Sequence, residues 1–132
     1  MQSKTNRASL LIMDDAPGIQ KILTNFLQKD FDLVIKNDGM EGMNWLDEGN
    51  TADLILADLN MPNLSGKEFL RTLRSSSYYR KIPVVILSAE NESNERIACL
   101  NMGADDFIEK PFNPVEVLTK INVILRRTRS EY

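Results

Sequence analysis

This sequence predicts an α/β fold with a doubly wound parallel sheet, and two observations carry that reading. Short apolar runs and helix-period patterns take turns five times along 132 residues, and each apolar run ends in a polar or charged residue. Strands alternating with helices are joined by crossovers, so they lie parallel with helices on both faces. Such crossovers are right-handed, which brings every strand C-terminus to one edge. Ligands bind at that edge, where the strand order reverses.

The elements follow in order. "SLLIM" (9–13) is a continuous apolar run, and Pro17 suits the first turn of the helix after it. Ile19, Ile22, Leu23, Phe26 and Leu27 recur at helical spacing. "DLVIK" (32–36) is the second strand, and 39–48 a short helix with Met40, Met43 and Leu46 inward. "DLILA" (53–57) is the third strand and ends at Asp58; the loop "LNMPNLSG" (59–66) leads to a helix over 67–74 carrying Phe69, Leu70 and Leu73. "IPVVILS" (82–88) is the fourth strand, with Pro83 at its beginning, where a missing N–H is tolerated. A helix over 92–102 points Ile97 and Leu100 inward and closes at Gly103. "DFIEK" (106–110) is the fifth strand. Asn113 or Pro114 opens a last helix with Val117, Leu118, Ile121, Ile124 and Leu125 along one face.

Composition removes several functions. The 16 Lys plus Arg against 19 Asp plus Glu leave a net charge of −3, which argues against non-specific nucleic-acid binding. With no histidine, the chain has no Ser-His-Asp or Cys-His catalysis, no His-ligated metal and no phosphohistidine of its own. No apolar run approaches the length of a membrane span, and the polar start "MQSKTNRAS" lacks the apolar core of a signal peptide. Cys99 is the only cysteine, which excludes an internal disulfide and favours a reducing, cytoplasmic setting.

At the shared edge strand one delivers Asp14 and Asp15, strand three Asp58, strand four Ser88 and strand five Lys110. Three carboxylates at close range repel, and a hard divalent cation such as Mg2+ relieves them while keeping waters and a phosphate oxygen as further ligands. A serine hydroxyl and a lysine ammonium are the partners that a phosphoryl group's oxygens need. A carboxylate can itself be the nucleophile that forms an aspartyl phosphate.

Four motifs then carry a resemblance: "DD" (14–15), "DLNMPNLSG" (58–66), "SAE" (88–90) and "KPF" (110–112), in order and each at a strand end. Over residues 8–127 the chain resembles a receiver domain of a bacterial two-component response regulator, the flavodoxin-like fold shared with the chemotaxis regulator, with strand order 2-1-3-4-5 and five helices. Residues 1–7 are expected to be a disordered extension, and 128–132 a tail or the start of a linker. The resemblance implies that Asp58 is the phosphoacceptor, Asp15 the direct Mg2+ ligand, and Asp14 a residue acting mainly through metal-bound water. Asn60 would supply its backbone carbonyl to the metal. Lys110 would pair with the phosphoryl oxygens, Ser88 be the switch hydroxyl and Phe107 the switch aromatic, while Asn60 and Glu90 would tune hydrolysis. The Lys110–Pro111 bond is expected to be cis. Ser88 and Phe107 stand where threonine and tyrosine are common, so the hydroxyl is kept without its methyl and the ring without its phenol.

A histidine kinase or phosphotransfer protein is the implied partner, and a switch that hydrolyses its own phosphoryl group is the implied activity, without turnover of external substrates. Asp105, Asp106, Glu116 and Lys120 suit a phosphorylation-dependent homodimer like those of winged-helix regulators, although Ala98 lies near the expected basic position. Rival readings are weaker. Aspartate phosphatases carry DxDx(T/V) after strand one, nucleotide folds carry a glycine-rich loop there, and "DDAPGIQK" matches neither. A receiver-like interaction module that works without phosphorylation is the remaining alternative. Trp45 and the methionines at 40, 43 and 102 read as packing, and Cys99 carries no redox role.

Overall fold

The computed structural model describes residues 7–89 and 93–129. Ten elements alternate along the chain: β1 (Ser9–Met13), α1 (Pro17–Leu27), β2 (Asp32–Lys36), α2 (Gly39–Asp47), β3 (Leu54–Asp58), α3 (Gly66–Ser75), β4 (Val84–Ser88), α4 (Ser93–Asn101), β5 (Asp106–Glu109) and α5 (Pro114–Arg129). The strands form one parallel sheet in the order β2-β1-β3-β4-β5. This is the flavodoxin-like order that the family resemblance implies, and its reversal lies between β1 and β3.

Side-chain alternation divides the core in two. Leu11 and Met13 of β1, Ile55 and Ala57 of β3, and Val84 and Ile86 of β4 face one layer, where they meet Leu46, Phe69, Leu70, Leu73 and Cys99 of α2, α3 and α4. Leu10, Ile12, Leu54, Leu56, Val85 and Leu87 face the other, against Leu23 and Leu27 of α1 and Val117, Ile121 and Ile124 of α5. Every residue of β3 and β4 is buried, as a sheet covered on both faces requires. Asp38 caps α2 by accepting the Glu41 N–H at 2.9 Å, and Ser65 caps α3 from the Glu68 N–H at 3.2 Å.

Several expectations need correction. Met40 faces solvent, and so do Ile97 at 53% and Leu100 at 41% exposure; Cys99 is the buried residue of α4. In "IACL" four apolar residues run together, so spacing alone could not select a face. β3 begins one residue late, at Leu54; just before it the Asp53 carboxylate accepts the Ser9 N–H at 2.8 Å. β4 begins at Val84, after Pro83, while the Ile82 carbonyl accepts from Arg74 at 2.7 Å. Arg7, assigned to the N-terminal extension, is instead anchored: it donates to the carbonyls of Lys29, Gln28 and Phe31 and pairs with Asp32 at 3.3 Å. The rest of that extension, residues 1–6, lies outside the described residues. α5 continues through Thr128 and Arg129, so the tail begins later than expected, and residues 130–132 lie outside the described residues. Among the described residues no helix is long and apolar enough to cross a membrane.

Candidate metal and phosphoryl site

The parallel register assembles the edge. Met13 sits opposite Ala57, so Asp14 and Asp58 follow side by side on adjacent strands. Asp58 is opposite Leu87, and the Leu59 N–H donates to the Leu87 carbonyl at 2.8 Å, bringing Ser88 alongside. The Lys110 N–H donates to the Ser88 carbonyl at 2.7 Å, and the next bond, Lys110–Pro111, is cis.

One ammonium then spans two strands. Lys110 Nζ donates to Asp14 Oδ2 at 3.0 Å and to Asp58 Oδ1 at 2.9 Å. Asp14 is fully buried, and its Oδ1 accepts the Ala16 N–H at 2.9 Å. The Gln20 side chain, from α1, donates to the Asp14 carbonyl and to Asn37 Oδ1, fixing the β1–α1 corner. Asp15 is exposed, and ligand atoms of Asp14, Asp15 and Asp58 all lie within 4.8 Å of one another.

The charges explain what such an edge needs. Burial pushes the Asp58 carboxyl above the ordinary range; the Lys110 hydrogen bond pulls it back, and the charges of Asp14 and Asp15 push it up again. Burial also opposes the charge on Lys110, but hydrogen bonds to Asp58 and Asp14 outweigh it and hold that ammonium above its usual pKa. Two buried carboxylates share the one ammonium, and the exposed Asp15 lies beside them. The donors are all hard oxygens, and Cys99 sits in the core beneath α4, so this set suits a small hard cation such as Mg2+.

Ser88 is buried at the end of β4, and Phe107, 5% exposed, lies within β5 opposite Ile86. Asn60 is exposed in the β3–α3 loop, whereas Glu90 lies outside the described residues. A feature the sequence reading missed is Arg96, whose guanidinium carbon stands 5.8 Å above the centroid of the Phe107 ring. Arg96, Leu100, Phe107, Pro111, Glu116 and Lys120 line an open groove of about 300 Å³. Arg96, two positions before Ala98, is the basic residue that α4 brings to this groove. Its link to Phe107 depends on how α4 docks, which helical spacing does not reveal. Of the four residues considered for dimerisation, Lys120 pairs with Asp106 at 3.2 Å within the chain, and Asp105 pairs with Arg74 at 3.1 Å.

Comparison with known proteins places this geometry. Residues 10–122 match the model of the response regulator receiver domain. The chain is 39% identical over 120 residues to the response regulator GtcR of Aneurinibacillus migulanus, covering 90% of this chain and 48% of that protein. It is 38% identical over 121 residues to the phosphate regulon transcriptional regulatory protein PhoB of Escherichia coli, covering 92% and 52%. The chain thus spans about half the length of these curated relatives. The solved receiver domain of the Francisella response regulator 1452 superposes with a TM-score of 0.85 at 31% identity, covering 92% of this chain and 99% of that one.

Proposed function

The chain belongs to the response regulator receiver family of two-component systems, and on that premise we propose that it is a Mg2+-dependent phosphoacceptor switch. The observation that carries this reading is the single Lys110 ammonium bonded to both Asp58 and Asp14, beside Asp15 and Ser88. The donor is a phosphohistidine on a histidine kinase or phosphotransfer protein, since this chain has no histidine. An Asp58 carboxylate oxygen attacks the phosphorus, the P–N bond breaks, and its electron pair leaves with the imidazole. Lys110 supplies hydrogen-bonded positive charge to the phosphoryl oxygens throughout. Mg2+, when held by Asp14, Asp15, Asp58 and the Asn60 backbone carbonyl, offsets the combined charge of carboxylates and phosphoryl group. Partial burial keeps Asp58 poorly solvated, which favours a nucleophile that need not shed water.

Once phosphorylated, Asp58 gains charge and acceptor oxygens. The Ser88 hydroxyl donates to one of them, and Phe107 moves into the space that Ser88 leaves. The ring carries its Arg96 contact with it, so the surface formed by α4, β5 and α5 is rebuilt. That surface is the proposed homodimer contact, with Arg96, Asp106, Glu116 and Lys120 as its charged groups. Hydrolysis of the acyl phosphate resets the switch, with Asn60 and Glu90 tuning its rate; no external substrate is turned over. The setting is cytoplasmic on this reading. The longer relatives named as transcriptional regulators suggest DNA-directed output in a larger protein.

Intact mass after incubation with acetyl phosphate and Mg2+ tests the reading. One added phosphoryl group is expected, absent in Asp58→Asn and in EDTA. No adduct, with Mg2+ shown to bind, would favour the phosphorylation-independent interaction module.

A further inference from the structure

The loop between β3 and α3 carries Asn60, and its course is set at two points. At its base the Gly66 N–H donates to the Leu59 carbonyl at 2.8 Å, and a Cβ on Gly66 would strike the Asp58 carbonyl oxygen. At its crown Asn63 takes a left-handed conformation, φ 69°, and its Nδ2 donates to Asp38 Oδ2 at 2.8 Å. The other Asp38 oxygen caps α2, so this carboxylate, only 6% exposed, serves two elements at once. The Glu41 N–H holds the Asp38 carboxyl below its ordinary range; burial opposes this and the Asn63 bond adds to it. The neighbouring Gly39 admits the loop so closely that a Cβ there would lie 2.6 Å from the Leu64 carbonyl oxygen.

We infer that Asp38 and Asn63 form a latch that positions the β3–α3 loop, and with it the Asn60 backbone, for the divalent cation at Asp14, Asp15 and Asp58. The inference rests on the metal reading above and names the residues that regulate it. Ordering a free loop residue costs conformational entropy, so a loop closed only at its base would offer Asn60 to the cation at an entropic penalty. The latch removes that penalty before the cation arrives. Asp38 and Asn63 are positioning residues, since neither reaches the acidic cluster itself.

Titration calorimetry with MgCl2 tests the latch on the whole chain, alongside the dependence of acetyl-phosphate uptake on Mg2+ concentration. Asn63→Gly keeps the left-handed backbone and the α2 cap while deleting the amide. Supporting shells of this kind are worth about 10–100-fold in metal affinity, so the Mg2+ Kd should rise about tenfold. The uptake rate at saturating Mg2+ should stay within about twofold, because the reacting groups are untouched. Exchanging the partners, Asp38→Asn together with Asn63→Asp, reverses donor and acceptor and should restore the affinity; Asn63→Asp alone, which sets two carboxylates against each other, should not. A purely structural role would change the unfolding midpoint of Asn63→Gly and leave its Mg2+ affinity at the wild-type value, and that result overturns the latch. A wild-type protein that binds Mg2+ but takes up no phosphoryl group would sink the proposed function instead, leaving the latch to be decided by the calorimetry.

Discussion

Lys110 is the counter-charge of the acidic edge. Its side chain is 16% exposed and its ammonium pairs with both buried carboxylates at the edge. Removing one member of a buried ion pair leaves the other uncompensated, at about 3–5 kcal/mol. Lys110→Ala should therefore lower stability in urea melts by about 3 kcal/mol in EDTA, with much of the loss recovered in millimolar Mg2+. Equal losses with and without Mg2+ would argue against a cation at this edge. Asp58 behaves in the opposite way. Its carboxyl holds a proton more tightly in the folded chain than in the unfolded one, so the folded state is penalised wherever Asp58 is ionised. Asp58→Asn keeps an oxygen for Lys110 and should stabilise the metal-free protein by about 1 kcal/mol near neutral pH. That advantage should shrink as pH falls through the raised pKa toward the ordinary value of 3.8. A constant gap between pH about 7 and about 4 would show that Asp58 pays no such penalty.

At the scale of elements, what could be read in the sequence follows from what is local. Asp14, Asp58, Ser88 and Lys110 were legible because each closes an apolar run, and a parallel sheet gathers the ends of such runs. α3 was legible as well, since Phe69, Leu70 and Leu73 leave no doubt about its inner face. Arg74 was not, because its meaning depends on chain far away. It makes five hydrogen bonds, at 2.7–3.1 Å, to the carbonyls of Gly103 (twice), Arg80 and Ile82 and to the Asp105 carboxylate. Gly103, with φ 111°, ends α4 and packs so tightly that a Cβ would lie 2.9 Å from Arg74 Nε. The Asp105 carboxylate also accepts the Val84 N–H at 2.8 Å, so Arg74 ties α3 to the starts of β4 and β5. Hydrogen bonds to charged groups contribute about 1.5–3 kcal/mol each, less what solvent recovers. Arg74→Met should cost about 3 kcal/mol in urea unfolding, and Arg74→Lys should recover only part, because an ammonium cannot span these acceptors. The clamp lies at the N-terminal ends of the strands, so Mg2+-dependent phosphoryl uptake should survive in both variants. Loss of uptake in a folded Arg74→Met protein would contradict that separation.

The whole molecule has two candidate sites joined by β4 and β5: the acidic edge, and the groove between α4 and α5 over β5. Topology and the gathering of Asp14, Asp15 and Asp58 at one edge were legible in the order of the motifs, whereas the groove was not, since it depends on the docking of α4 and α5 over β5. Ile97 was expected inside and lies 53% exposed, beside Leu100 on the same helix, while Val115 on α5 is 56% exposed. Leu100, Arg96, Glu116 and the Asp106–Lys120 pair line one groove with both signs of charge, and Ile97 and Val115 are the sequence neighbours of Arg96 and Glu116; we propose that this surface meets a second copy related by two-fold symmetry. The Arg96–Phe107 contact lies in this face, so a movement of the ring alters the surface that the second copy would meet. The protein activated with beryllofluoride and Mg2+ should therefore sediment as a dimer at concentrations where the unactivated form is a monomer. Ile97→Glu places a charge in the apolar part of the face without disturbing the core, and it should hold the activated form monomeric while leaving acetyl-phosphate uptake within about twofold. If activated wild type stays monomeric, the face does not serve a second copy. If Ile97→Glu dimerises as wild type does, the contact lies elsewhere on the molecule.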